Sequence, residues 1–194
     1  MDPVHTEESV PLLEDFVCFV DTETSGLDPT YHDIVEIAAI ITDENLNELE
    51  RYESKVKLRN PNRLDPGAAK INGYREEVWA KEARPFWEFQ GWLSRLIPYG
   101  HVAIPVGHKV DFDRQFIESY YKPIGKFCPI AYHMIDTAGL SMVLKLAGVI
   151  DVPDVKLGTV CQALKFQEQP THRAMDDCEA AKRIFEFVVA VLKS

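Results

Sequence analysis

Two acidic side chains, Asp21 and Glu23, stand one residue apart directly after an apolar run at 16–20. The run predicts a buried strand. Because alternate residues of a strand share a face, the two carboxylates would lie about 6–7 Å apart on one side of it. Such a pair is costly unless a cation lies between the groups, and carboxylate oxygens suit Mg²⁺ or Mn²⁺. The pair therefore indicates part of a divalent-metal site, although a strand ending in a polar loop would carry the same residues.

A second pair of acids, Asp111 and Asp113, lies where a predicted strand passes into a predicted helix. In an α/β sheet, this kind of junction is where binding sites are presented. Either carboxylate could be a metal ligand. Both would also be favourable without a metal, because Asp111 could cap the helix and Asp113 would interact with the helix dipole.

A third acidic pair, Asp176 and Asp177, opens the last predicted helix, and His172 precedes it from the loop. A carboxylate held by the helix and an imidazole reaching in from the loop could meet in one cleft. The pKa of histidine suits proton abstraction near neutral pH. His172 is therefore the candidate general base, whereas a lone histidine is more often structural.

The apolar patterns along the chain predict an α/β fold with a mixed sheet, because strands come first and then alternate with helices. The first three strands would form an antiparallel meander, and Pro105 in the fourth suggests an edge strand or a bulge. The predicted strands span 16–21, 34–41, 46–58 and 102–107. The predicted helices span 65–73, 84–97, 111–121, 135–147, 157–164 and 174–193.

The composition is that of an ordinary globular domain, with 46% hydrophobic and 27% charged residues among 194. We expect a flexible acidic arm at 1–15 and a single domain at 16–194. The net charge of −10 argues against a protein that holds long nucleic acid on a broad basic surface. A metal-filled acidic cleft could still accept one phosphate at a time, so the composition favours short ends over long duplex.

The cysteines and the length of the apolar runs bear on the compartment. None of the four cysteines, Cys18, Cys128, Cys161 and Cys178, has zinc-site spacing. We interpret all four as small buried hydrophobes in a reducing environment. The sequence has no pattern of a signal peptide or a transmembrane run, so no membrane partner is expected. We expect an intracellular protein, cytoplasmic, or nuclear if the source is a eukaryote.

Taken in order, the three acidic stretches resemble the motifs of the DEDDh, or DnaQ-like, 3′–5′ exonuclease superfamily, including its proofreading-subunit-type members. Residues 20–27 resemble the first motif, 107–113 the second and 172–177 the third, and the resemblance covers roughly 16–190. The family implies an RNase H-like exonuclease fold, in which helices flank a central mixed sheet. One departure is Lys109, at a position where many members have asparagine, and it removes no metal ligand.

The resemblance also implies the roles of the acidic residues and of the histidine. The metal ligands would be Asp21, Glu23, Asp113 and Asp177, and Asp111 and Asp176 would be neighbours. These ligands would bind two divalent cations, Mg²⁺ or Mn²⁺. His172 would take a proton from the attacking water, and hydrolysis of the terminal phosphodiester would release a 5′-mononucleotide.

A further set of residues is expected to contact the substrate. In relatives, the turn after the first motif binds the 3′ end, with Thr24 near the sugar and Leu27 wedged against the last base. Lys109 could contact a phosphate, and Phe112 could either stack on a base or belong to the core. The full predicted set is Thr24, Gly26, Leu27, His108, Lys109 and Phe112.

The motifs leave the substrate and the partners open. The leading hypothesis is a free-standing exonuclease, or a proofreading subunit, that acts on 3′ ends of single-stranded DNA. A polymerase or another replication or repair protein could be its partner. An enzyme that trims RNA ends or short oligoribonucleotides would share the same motifs. A non-catalytic nucleic-acid-binding scaffold would need a broken motif, and a purely structural metal site would leave His172 unexplained. The oligomeric state is not readable, because four aromatic residues could be core or an exposed patch: Trp79, Phe86, Trp87 and Trp92.

Overall fold

A five-stranded mixed sheet organises the chain in the computed structural model, which describes residues 13–167 and 169–194. The strand order is β3-β2-β1-β4-β5, in which the first three strands are antiparallel and β4 and β5 run parallel to β1. The strands are β1 (Leu13–Thr24), β2 (Ile34–Asp43), β3 (Glu48–Lys55), β4 (His101–Gly107) and β5 (Ile135–Asp136). The predicted antiparallel meander and the mixed α/β sheet are therefore confirmed.

Helices cover both faces of this sheet. One face packs against the last helix, and the other packs against two helices from the middle of the chain. The helices are α1 (Pro66–Asn72), α2 (Glu76–Glu82), α3 (Trp87–Leu96), α4 (Val110–Tyr121), α5 (Thr137–Leu146), α6 (Leu157–Ala163) and α7 (Ala174–Lys193). Among the described residues, none of these helices combines the length and the apolarity needed to cross a bilayer.

The central strand β1 is buried on both faces, which explains its unbroken apolar run. Phe19 packs with Ala174 and Cys178 of α7, whereas Cys18 and Val20 belong to the core beneath α3 and α4. Burial of each large apolar side chain contributes roughly 1.5–3 kcal/mol to stability. The same alternation places the two acids that follow Phe19, at two-residue steps, on the face that α7 covers.

Strand boundaries differ from the prediction at several places. β1 and β2 continue to Thr24 and Asp43, and β5 occupies the first two residues of the helix predicted at 135–147. β1 begins at Leu13, so the last three residues of the predicted arm 1–15 belong to a strand, and 1–12 lie outside the described residues. β3 is shorter than predicted and spans Glu48–Lys55. Pro105 lies in an interior strand, but β5 pairs only with Val106 and Gly107, which leaves Pro105 beside β1 alone.

One helix escaped the sequence prediction, and another begins later than predicted. The missed helix α2 has seven residues, too few for a clear periodicity, and the buried Trp79 anchors it by donating from Nε1 to the carbonyl of Val35 at 2.7 Å. α3 begins at Trp87 instead of 84, because the backbone N–H of Arg84 bonds the Lys55 carbonyl. The helix at 65–73 is confirmed, with Asp65 as its N-cap and Gly73 as its left-handed C-cap.

The structure also shows the burial of the cysteines and of the aromatic residues that the sequence analysis left open. All four cysteines are free thiols, and three are buried, whereas Cys128 is half-buried. Of the four aromatic residues left open, Trp79, Phe86 and Trp92 are core, and Trp87 is exposed.

Candidate active site

Asp21 and Glu23 lie at the end of β1, on the face that α7 covers. The register of β1 and β2 places Glu23 directly opposite a third acid, Glu36. The carboxyl ends of the parallel strands β1 and β4 meet at this edge of the sheet, which is where an α/β sheet forms its cleft. The strand pairing therefore fixes the position of the first two predicted site residues before any ligand is present.

Asp113 reaches the same cleft from the first turn of α4 and is held there by the backbone of β1. One carboxylate oxygen, Oδ1, accepts the N–H of Thr22 at 2.8 Å and the hydroxyl of Thr22 at 2.7 Å. The side chain of Asp113 is buried, whereas that of Asp111 is exposed and bonds Arg114 and Gln115 of its own helix. The sequence analysis did not assign Thr22 to the site, although Thr22 holds the Asp113 carboxylate. Its position between the two acids of β1 is the sequence feature that could have indicated this.

The N-terminus of α4 differs from the prediction. Lys109, not Asp111, is the N-cap residue, and its backbone has a left-handed φ of 69°. Its N–H donates to Oδ1 of Asp136, which also caps α5 through the N–H of Ala138. Asp111 lies in the first turn, where its charge still interacts favourably with the helix dipole. The side chain of Lys109 is exposed at the rim.

His172 and Asp177 complete the cleft from the loop and the first turn of α7. A carboxylate oxygen of Glu23, a ring nitrogen of His172 and a carboxylate oxygen of Asp177 all lie within 4.8 Å of one another. Asp177 is buried and its Oδ1 accepts the N–H of Thr171 at 3.1 Å. The imidazole of His172 is exposed, so it reaches the cleft from the solvent side, and Asp176 is turned away toward the hydroxyl of Thr171.

The four acids in the cleft hold their protons more tightly than free carboxyls do. Burial, reinforced by the charges of Asp113, Asp177 and Glu23, raises the pKa of Asp21 well above its ordinary value. Burial and neighbouring acids raise the pKa of Glu23 to about 8. Burial raises the pKa of Asp113 to about 7, although the bonds from Thr22 oppose this, and burial also raises the pKa of Asp177. The converging carboxylates therefore favour a proton or a cation between them, as predicted from the sequence.

This donor set fits a hard divalent cation. Carboxylate oxygens are the ligands that Mg²⁺ and Mn²⁺ prefer, and three candidate donor groups already lie within 4.8 Å of one another. A cation at this position would also offset the repulsion that raises the carboxyl pKa values. Glu23 and Asp177 belong to this group of three, and Asp21 lies near enough for the charges of Asp113, Asp177 and Glu23 to raise its pKa.

A pocket of about 430 Å³ opens beside these acids. Four of the predicted substrate contacts line it, together with residues of α1 that the sequence analysis did not assign to the site. The predicted contacts are Thr24, Gly26, Leu27 and Phe112; the added residues are Thr22, Asp65, Gly67, Ala68, Ile71 and Asn72. The side chains of Leu27 and Ile71 are 83% and 63% exposed, so two apolar surfaces face the pocket without being buried in the core.

Helix α1 is fixed to the pocket wall by a buried amide. Nδ2 of Asn72 donates to the carbonyl of Thr24 at 3.0 Å, and the hydroxyl of Thr24 donates to the carbonyl of Gly26 at 2.7 Å. A Cβ at Gly26 would lie 2.3 Å from the ring of His32, so only glycine fits there. The sequence predicted α1 as a helix, but no local pattern indicated that it would dock here.

Two predicted substrate contacts have other roles in the structure. The ring of His108 lies between the hydroxyl of Thr137 at 3.0 Å and the carbonyl of Val155 at 2.9 Å, so both of its nitrogens are engaged. His108 thus joins the end of β4 to α5 and to the segment before α6, and it is not among the residues that line this pocket. Its role as a substrate contact stays a prediction. Phe112 packs on Phe116 in the core and also lines the pocket, where a base could stack on it.

A family model, RNase T, described as Exonuclease, matches residues 18–185. The match includes all three motifs and the five cleft residues. The chain belongs to this exonuclease family. The resemblance to DEDDh, or DnaQ-like, exonucleases is therefore confirmed, and the domain is of the exonuclease type.

Two curated relatives show how much of a longer or shorter protein this chain spans. A PolC-type DNA polymerase III from Caldanaerobacter subterraneus subsp. tengcongensis is 30% identical over 184 residues, 94% of this chain but only 12% of that polymerase. An oligoribonuclease from Pectobacterium atrosepticum is 27% identical over 173 residues, 84% of this chain and 88% of that protein. The chain therefore spans about an eighth of one relative and most of the other.

Solved structures confirm the RNase H-like exonuclease fold. A product-bound exonuclease I superposes with a TM-score of 0.71 over 90% of this chain and 43% of that protein, at 19% sequence identity. At this identity the likeness concerns the fold alone.

Proposed function

We propose that the protein is a 3′–5′ exonuclease that removes 5′-mononucleotides from the 3′ ends of single-stranded DNA. The observation that carries this proposal is the convergence of Glu23, His172 and Asp177 within 4.8 Å, beside a pocket of about 430 Å³. Family membership supports the reaction class. A pocket closed by α1 on one side suits a chain end rather than a continuous strand.

Two divalent cations, Mg²⁺ or Mn²⁺, held by Asp21, Glu23, Asp113 and Asp177, would activate a water and neutralise charge on the phosphodiester. His172, exposed at the rim, takes one proton from that water. The water oxygen forms a bond to phosphorus as the bond from phosphorus to the 3′ oxygen breaks. Solvent then supplies a proton to the departing oxygen.

The pocket residues position the terminal nucleotide. Leu27 and Ile71 offer apolar surfaces on which a base can rest irrespective of its identity, as a sequence-tolerant exonuclease requires. Thr24 and Asn72 hold the floor of the pocket rigid through their hydrogen bonds. Substrate placement therefore comes from the β1 turn and α1, and bond cleavage from the neighbouring acids.

A second candidate substrate is RNA, as short oligoribonucleotides or 3′ tails. It is favoured by the oligoribonuclease relative, which this chain matches over 88% of that protein's length. The DNA proposal is supported by the PolC-type relative, which also suggests a polymerase or another replication or repair protein as a partner. Four free cysteines support work in a reducing compartment, and we propose the cytoplasm.

The deciding experiment is digestion of 5′-labelled and 3′-labelled single-stranded DNA and RNA oligonucleotides with Mg²⁺, with Mn²⁺ or with EDTA. We expect stepwise shortening from the 3′ end that requires metal, faster on DNA. Faster cleavage of RNA would select the second candidate. Absence of cleavage of either polymer by the folded protein with metal would contradict the exonuclease proposal and favour a nucleic-acid-binding scaffold.

Adjacent acids provide matched controls for this assay. Asp113→Asn should abolish cleavage, whereas Asp111→Asn, two residues away in the same helical turn, should leave it nearly unchanged. Asp177→Asn and Asp176→Asn form a second such pair. Equal effects within a pair would contradict the assignment of the ligands. His172→Ala should lower kcat by about 10²–10⁴-fold, the range for loss of a general base.

A further inference from the structure

A fifth carboxylate, Glu36, lies beside the cleft and belongs to none of the three motifs. It stands on β2 opposite Glu23, and its side chain is only 1% exposed. Its charge is one of the causes that raise the pKa values of Asp21 and Glu23. An acid buried this deeply is costly unless specific partners stabilise it, so its contacts indicate what it does.

The contacts of Glu36 are with the two residues that follow His172. Its Oε1 accepts from Nε of Arg173 at 3.0 Å and from the backbone N–H of Ala174, the first residue of α7, at 3.3 Å. The carboxylate thus caps the start of α7 from a neighbouring strand, where the first turn of a helix has unpaired N–H groups. Its other oxygen, Oε2, is buried and meets no hydrogen-bond donor among residues 13–167 and 169–194.

The backbone of His172 needs such support. Its φ is 59°, in the left-handed region, which is uncommon for any residue other than glycine and costs of order 1–3 kcal/mol. On one side, the N–H of Thr171 is held by Asp177 at 3.1 Å. On the other side, Arg173 and Ala174 are held by Glu36. Two carboxylates therefore fix the chain immediately before and after the histidine.

We propose that Glu36 and Arg173 are positioning residues, which hold the loop so that the imidazole of His172 faces the acids of the cleft. This inference rests on the proposed function, in which His172 takes a proton from water. Glu36 acts through the loop and not on the substrate, because its side chain is only 1% exposed and its bonds are to Arg173 and Ala174. The guanidinium of Arg173 also lies 3.9 Å from Glu53 of β3, which is beyond hydrogen-bond distance, so Glu53 does not belong to this link.

The test is a double-mutant cycle between Glu36→Gln and His172→Ala, with kcat and KM measured on the better oligonucleotide substrate. Glu36→Gln keeps the size of the side chain but removes its charge, so we expect kcat to fall by about 10–100-fold with little change in KM. In the His172→Ala background, Glu36→Gln should cause no further loss, because the loop then positions no base. An additive loss would overturn the inference.

Two further measurements separate this role from its alternatives. The affinity for Mn²⁺, from titration of the free ion by electron paramagnetic resonance, should be unchanged in Glu36→Gln. A weakened affinity that accounts for the fall in kcat would mean that Glu36 acts on the metal, which would overturn the inference. Glu53→Gln, an exposed acid beside Arg173, is the matched control and should retain full kcat.

A milder variant covers the case in which Glu36→Gln does not fold. Arg173→Lys keeps the charge but cannot form the same bond to Oε1, so we expect a fall in kcat of about 3–10-fold that also vanishes in the His172→Ala background. Full activity of His172→Ala alone would overturn both the general-base proposal and this inference. A defective His172→Ala combined with a fully active Glu36→Gln and Arg173→Lys would overturn only this inference.

Discussion

Two carboxylate sites lie near the end of β1, and they differ in what faces them. In the cleft, Asp21 and Glu23 face other acids, and burial and repulsion raise their pKa values. In the loop before β2, Asp33 is 1% exposed but accepts from Nε of Arg59 at 2.7 Å and from the N–H of Asn60 at 2.8 Å. The guanidinium of Arg59 also lies 3.8 Å over the ring of Tyr120.

The difference shows how one loop serves stability while its neighbour serves chemistry. Asp33 forms an ion pair with Arg59, so its charge helps to hold the loop between β1 and β2. Gly26 and Leu27 of this loop line the pocket beside the cleft. The acids of the cleft are arranged so that a cation from solution would offset their repulsion. Without that cation, the repulsion lowers the stability of the folded protein. Neutralising an acid should therefore have opposite consequences in the two places.

The largest effect is expected for Asp21→Asn. Removing one of the repelling charges should leave the metal-free fold equally stable or more stable, while activity falls by at least about 10²–10³-fold. Thermal unfolding in EDTA and oligonucleotide cleavage with Mn²⁺ measure the two quantities on one sample. Retained activity would remove Asp21 from the metal-ligand set, and a large loss of stability would mean that its charge is already compensated.

The stability of the metal-free protein should fall as the pH rises from about 4.5 to 8. Across this window the unfolded chain has released the Glu23 proton, whose ordinary pKa is 4.5, while the folded chain retains it up to a pKa of about 8. The unfolded state therefore binds fewer protons, and each such carboxyl costs roughly 1 kcal/mol per pH unit. Asp113 contributes in the same direction between 3.8 and about 7.

Urea unfolding at pH 5, 6.5 and 8 in EDTA would measure this slope. Adding Mn²⁺ should stabilise the protein most at pH 8, where the cation competes with the fewest protons. Glu23→Gln should flatten the slope. A metal-free protein that is most stable at pH 8 would contradict the contrast between the two carboxylate sites.

Asp33→Asn should show the opposite behaviour to Asp21→Asn. It leaves the guanidinium of Arg59 without its charged partner, and because Arg59 is partly exposed we expect a loss of roughly 1–3 kcal/mol of unfolding free energy. Activity per folded molecule should change by less than about threefold, because two bonds do not involve the Asp33 carboxylate. The N–H of Ser25 still donates to the Asp33 carbonyl, and the N–H of Asp33 still donates to the hydroxyl of Ser25. Chemical denaturation measures the free energy of unfolding, and active-site titration with Mn²⁺ gives the activity per folded molecule. Unaltered stability would show that Asp33 does not stabilise the loop.

The smallest effect is expected for Arg59→Lys, which keeps the charge but loses the planar group over Tyr120. We expect a loss of about 1 kcal/mol, measured as a shift of the urea midpoint with an unchanged m-value. Arg51→Lys is the matched control, since Arg51 pairs with Glu48 and Glu179 at an exposed surface, where ion pairs contribute little. Equal losses for the two variants would mean that stacking and burial add nothing at Arg59.

Much of the site was predictable because its residues carry local signals. Asp21 and Glu23 follow an apolar strand at a spacing of two, and His172 precedes Asp177 at a loop-to-helix junction. The choice of Asp113 over Asp111 came only from the resemblance to a family. In the structure Asp113 is buried against Thr22, whereas Asp111 bonds its own helix, and the choice between them as metal ligand stays a prediction.

The sequence by itself determined the order of the elements apart from α2 and β5, the family and the five polar groups of the cleft, because periodicity and motif spacing are local properties. Only the tertiary structure decided that α1 closes the pocket, that His108 bonds Thr137 and Val155, and that Glu36 holds Arg173. Each of these contacts joins segments at least 29 residues apart. Their partners are chosen by how strands pair and helices pack, and no pattern within either segment encodes them.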